Sequence, residues 1–243
     1  MLYKAKKGQV SYGEAIGILL LDSFVPGIPG NVSNATTYTF PVRYKKVDGL
    51  TVERIFNKDV TLLKPLIKAG IELVREGVKA VTGDCGFLAL FQKELAKQLG
   101  VPVFLSALLQ LPFLTKMIGE GQKVGIITAN SKILDKDLLR EVGLENMNSI
   151  YVKGLEDKKN FRKAVIEEVG WIDTEKIEKE VVMSAKEIVQ EEPGIKLILL
   201  ECSGLPPYSA AVNAAVNLPV FDYVTMINYV YSSIVKKTYE GFI

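Results

Sequence analysis

Histidine is absent from this chain of 243 residues, and cysteine occurs only twice. The missing histidine excludes a Ser-His-Asp triad, a Cys-His nucleophile pair and the usual zinc sites. Proton chemistry near neutral pH then falls to cysteine, lysine, tyrosine or a perturbed carboxylate. Two cysteines make no disulfide scaffold, and a reducing cytosol keeps them as thiols. Charge of one sign is lacking too. The 30 basic and 28 acidic side chains are spread without runs, which gives no electrostatic case for nucleic acid or a membrane surface. The longest apolar run near the start, residues 16–21, is far too short to cross a bilayer and lacks a signal-peptide cleavage pattern, so the expected location is cytoplasmic. Neither G-x-G-x-x-G nor G-x-x-x-x-G-K is present to support nucleotide binding.

What is present alternates. Apolar runs rich in Val, Ile and Leu at 14–21, 77–83, 101–106, 123–128, 148–154, 194–201 and 218–223 predict buried strands. Segments 64–77, 87–100 and 174–194 carry apolar residues at helical spacing; Ile177, Val181, Ala185 and Ile188 form the face of the last. Strand–helix alternation with near-continuous apolar strands predicts an α/β fold of mostly parallel sheets covered on both faces. An internal repeat is more specific. Residues 79–104 align without a gap on 196–221, matching Lys79 with Lys196, Cys85 with Cys202 and Pro102 with Pro219. Upstream, "IGILLLDS" corresponds to "VGIITANS". The chain reads as two copies of one three-layer α/β unit. The first spans 1–112 and recovers 222–243, and the second spans 113–221.

Each cysteine follows a strand and precedes a helix, where open parallel sheets place ligand sites. A lone cysteine reads as an inert core residue; duplication at a site-forming position reverses that reading. Amides of the following helix favour thiolate over thiol. A redox couple wants C-x-x-C spacing, and a metal wants more soft ligands than the chain has. Proton exchange at a carbon, with one thiol on each face of a substrate held between the halves, fits the pseudo-twofold pattern. Asp84 and Glu201, one before each sulfur, read as structural, turned to the other face by strand alternation.

The motifs around the thiols resemble those of the aspartate/glutamate racemase superfamily, over most of the chain. Glutamate racemases carry D-S-G, A-C-N-T and G-C-T-H-x-P motifs. Here Asp22-Ser23 stands for the first, Cys85 for the first cysteine, and Cys202 for the second, with Ser203 for threonine and Pro206 for proline. The Asn-Thr after Cys85 is lost, and Gly204 stands where a histidine would assist. These departures point to the branch labelled Asp/Glu/hydantoin racemase-like, and two cysteines set the chain apart from superfamily decarboxylases, which keep one. The resemblance implies a cofactor-independent racemase or epimerase of an amino acid or derivative, with no metal, acting on a small carboxylate-bearing substrate and assembling as a homodimer. Hydantoin racemisation is the nearest rival; a non-catalytic small-molecule-binding or redox-sensing thiol protein is the reading from another class. Cys85 would exchange the proton on the D face and Cys202 on the L face. The amides of Gly86, Phe87 and Ser203 would bind the α-carboxylate and the developing charge.

The loop 22–44, with "PGIPG" inside it, is too long for a mere connection and should lie over Cys85. Ser23 and Asn34 are its candidate substrate contacts. Arg43 reads as a surface residue on an edge strand, Tyr208 as packing at the start of a helix, and Trp171 as core.

Overall fold

The computed structural model describes residues 2–243. Strands β1 (Ile16–Leu20), β2 (Val42–Lys46), β3 (Ala80–Gly83) and β4 (Val103–Phe104) form one sheet in the order β2-β1-β3-β4. Strands β5 (Lys123–Thr128), β6 (Ile150–Gly154), β7 (Ile195–Leu200) and β8 (Val220–Phe221) form a second sheet in the order β6-β5-β7-β8. Every strand pair is parallel, and the second order repeats the first. The repeat seen in the sequence is therefore a repeat of topology, in an α/β fold of two sheets flanked by helices.

The central strands are the apolar ones: Ile16, Ile18, Leu19, Val124, Ile126 and Leu197–Leu200 are buried. Edge strand β2 carries charge instead. Its Arg43 bridges Glu14 and Glu76, and Lys45 bridges Glu72. The helix Leu63–Arg75 turns Leu66, Ala69, Gly70 and Leu73 inward. Gly70 lets the helix Gln92–Leu99 pack closely, since a Cβ there would stand 2.7 Å from Leu99 Cδ1 and oblige that side chain to move. The helix Thr174–Glu191 starts at Asp173, whose carboxylate accepts from the Lys176 amide, and buries the Ile177, Val181, Ala185 and Ile188 stripe. Each fully buried Ile or Val of this stripe contributes about 1.5–3 kcal/mol. Trp171, expected in the core, is 54% exposed, because it lies in the irregular segment before that helix rather than on a packed face.

The two halves are stitched at their carboxyl ends. The Ser203 hydroxyl donates to the Asp84 carbonyl (2.9 Å), and the Val32 amide donates to the Ser203 carbonyl (3.3 Å). Lys58 pairs with Asp135. The last helix, Tyr223–Ile234, packs on elements of the first half: the Tyr223 hydroxyl donates to the Leu105 carbonyl, and Tyr231 stacks on Phe40 at 3.5 Å between ring centres. No helix among the described residues is long and apolar enough to cross a membrane.

Candidate active site

Loops leaving the carboxyl ends of β1, β3, β5 and β7 converge on one cavity, the place where parallel sheets leave backbone groups free for ligands. Cys85 and Cys202 both line it. So do Ser23, Gly86, Phe87, Ser203 and Gly204 from the expected site. Asp22 and Asn34 do not. Asp22 accepts from the Gly49 amide and pairs with Lys46, while Asn34 caps the turn at Ala35–Thr37 and donates to the Gly27 carbonyl. The long first loop does cover the cavity, through Val25, Ile28, Asn31 and Ser33. Sequence reasoning missed the apolar wall of Val52, Phe56, Val165 and Ile172, which comes from separate segments with no shared motif. Phe56 meets Phe87 edge to face at 5.6 Å. The free volume, about 70 Å³, is room for on the order of five to seven waters, so the cavity suits a small molecule.

Asp84 and Glu201 also line the cavity, contrary to the expectation that they face away. The reason is local: β3 ends at Gly83 and β7 at Leu200, so both acids stand past the strands and alternation no longer orients them. Glu201 is 1% exposed; its Oε2 accepts from the Thr128 hydroxyl at 2.8 Å and its Oε1 has no hydrogen-bond partner. Burial pushes its carboxyl up to about 7, against the opposing pull of the Thr128 hydroxyl and the Ala129 amide. Burial likewise pushes Asp84 up to about 7, opposed by the Ser203 hydroxyl and the Leu21 amide. No lysine or arginine is found among the described residues lining the cavity.

The thiols follow the same logic. Burial raises Cys85 well above the usual thiol range, and the negative charge of Glu201 adds to it. Cys202 is raised by the same two causes in the same order. One amide opposes this at each sulfur, Phe87 at Cys85 and Gly204 at Cys202, two residues on in both repeats, and the Ser203 hydroxyl adds to it at Cys202. The expected lowering by a helix N-terminus does not arise. The segment 87–100 opens as 3₁₀ turns over Gly86–Phe91, and Pro206–Tyr208 does the same after Cys202, so no long array of aligned peptides begins at either sulfur. The site holds four acids and no base of its own.

No family model matches the chain. A dimethylsulfoniopropionate lyase from Durusdinium sp. clade D is 34% identical over 222 residues, covering 88% of this chain and 73% of that protein. Dimethylsulfoniopropionate lyase 3 of Emiliania huxleyi is 31% identical over 237 residues, covering 93% of this chain and 61% of that protein. Among solved structures, allantoin racemase from Pseudomonas fluorescens superposes with a TM-score of 0.60 at 17% identity, covering 91% of each chain. Glutamate racemase from Bacillus anthracis superposes with a TM-score of 0.59 at 14% identity, covering 91% of this chain and 81% of that one. The fold is thus that of the aspartate/glutamate racemase superfamily. The activity expected from it is corrected: the sequence relatives are lyases, so neither amino-acid racemisation nor hydantoin racemisation, nor any isomerase reading, stands.

Proposed function

This chain belongs to the dimethylsulfoniopropionate lyase family, and from that premise we propose that it is itself a lyase, opening a carbon–sulfur bond of dimethylsulfoniopropionate by β-elimination. In that compound a carboxylate and a sulfonium sit on neighbouring methylene carbons. A thiolate takes a proton from the carbon next to the carboxylate. The C–H electron pair becomes the new C=C bond, and the C–S bond breaks with its pair returning to sulfur. The products are acrylate and neutral dimethyl sulfide, and the proton on the thiol passes to solvent. The first half of this reaction, proton removal beside a carboxylate, is the step a racemase fold is shaped for; the leaving group makes the difference.

The observation that carries the reading is one small cavity lined by two thiols and two carboxylates with no cationic side chain. Such a site holds its thiols protonated until positive charge arrives, and a sulfonium brings it, lowering the thiol that stands nearest. On this reading the Ser23 hydroxyl and the amides of Gly86 and Ser203 hold the substrate carboxylate, and the apolar wall receives the S-methyl groups. The chemistry uses free thiols, which favours a reducing compartment such as the cytoplasm. The test is direct. Purified protein given dimethylsulfoniopropionate should release dimethyl sulfide into the headspace, measured by gas chromatography, with acrylate formed mole for mole. The double variant Cys85→Ala/Cys202→Ala should release none. No release above a protein-free control, or undiminished release by the double variant, removes the proposal.

A further inference from the structure

Glu201 stands out among the buried polar groups as a side chain whose surroundings are incomplete. Its Oε1 is buried, lines no hydrogen bond and lies against the backbone of Gly86, where a Cβ would come within 1.7 Å of it. A buried carboxylate ordinarily has its charge compensated by a cation or by donors to both oxygens. Here one oxygen has a donor and the other has none, and the ionisable groups around it are Asp84, Cys85, Cys202 and Tyr223, none of which is ever positive. Where this carboxyl gives up its proton, the compensating charge has to come with a ligand. Asp84, its counterpart in the repeat, is likewise opposed by one hydroxyl and one amide, but neither of its oxygens is a buried atom without a partner, so the incomplete position is Glu201 Oε1.

We propose that Glu201 is the counter-ion for the sulfonium end of the substrate and sets the preference of the cavity for a cationic ligand over a neutral one of the same shape. This rests on the lyase reading above. An oxygen without a donor is suited to an onium group, which offers methyl C–H bonds and spread charge in place of N–H. The wall of the same cavity agrees with that chemistry, since Phe56, Phe87, Val165 and Ile172 present apolar and aromatic surface to methyl groups. Gly86 belongs to the same device, because any larger residue would displace the carboxylate from its place next to Cys85.

The experiment uses two unreactive ligands of one shape, β-trimethylammoniopropionate and its carbon isostere β-tert-butylpropionate, titrated calorimetrically into wild-type protein and the Glu201→Gln variant. Wild type should bind the cation at least about tenfold more tightly than the isostere. Glu201→Gln should bring the two affinities together by weakening the cation alone. In wild type near pH 7 the cation should also release a proton, read from the dependence of binding enthalpy on buffer, and the isostere should not; this readout needs no variant. Equal affinities in wild type, an unchanged ratio in the variant, or no proton release overturns the inference. If dimethyl sulfide is released yet the ligands bind alike, the inference alone falls. If none is released, the reading beneath it falls as well.

Discussion

Cys85 and Cys202 stand at equivalent places, yet a β-elimination does not use two thiols equally. Dimethyl sulfide leaves as a neutral molecule and takes no proton, so one base completes the reaction. Cys85 is the more open of the two, with Cys202 only 9% exposed, and the Glu201 carboxylate lies beside its neighbour Gly86. Cys85→Ala should therefore lower kcat/KM for dimethyl sulfide release by about 10²–10⁴, the range for a lost general base, while Cys202→Ala stays within about tenfold of wild type. Equal, large losses in both variants would point back to a two-base mechanism. At this scale the sequence was half legible. The thiols, and an acid before each, were visible as a repeated pattern. That the acids share the thiols' cavity was not, because strand alternation was extended past Gly83 and Leu200, beyond the last paired residue of each strand. The apolar wall was not legible either, since Val52, Phe56, Val165 and Ile172 meet only in three dimensions.

At the level of elements, the buried strands and the helix 174–191 were readable because burial on both faces and a one-sided stripe each leave a period in the sequence. Strands β4 and β8 shrink to two residues each although longer runs were expected, because an apolar run serves equally for a strand and for the buried turn that follows it. What periodicity could not supply is the contact that fastens the last helix to the first half. The Tyr223 hydroxyl is fully buried, and its bond to the Leu105 carbonyl joins the helix to the loop after β4. Tyr223→Phe keeps the ring and strands that carbonyl without a donor. It should cost about 1–3 kcal/mol, seen as a lower urea midpoint at unchanged slope. An unmoved midpoint would mean that the ring packing alone, with the Phe40–Tyr231 stack, holds the helix.

Over the whole molecule, the acid-rich cavity should be visible in how stability depends on pH. Asp84 and Glu201 are pushed up to about 7 from ordinary values of 3.8 and 4.5, so the folded protein binds more protons than the unfolded chain between about pH 4 and pH 7. The stabilisation these two groups allow is complete below pH 4 and is lost as pH rises through 7. Each is worth on the order of 3–4 kcal/mol at most, and as neighbours in one cavity they titrate together rather than additively. Surface carboxylates act in the opposite sense but in a lower window: Asp59, for instance, is held near 2 by the Thr61 hydroxyl and Arg54 and adds stability as pH rises towards 4. The two windows do not cancel. The urea midpoint of wild type should therefore fall between pH 5 and pH 8, and it should fall further above that as the raised thiols of Cys85 and Cys202 begin to ionise on unfolding. The double variant Asp84→Asn/Glu201→Gln should flatten the fall between pH 5 and pH 8 and be the more stable protein at pH 8. A wild-type midpoint that is level or rising over that interval would show that the cavity carboxylates are compensated after all, and with them would go the case that a ligand's positive charge completes the site.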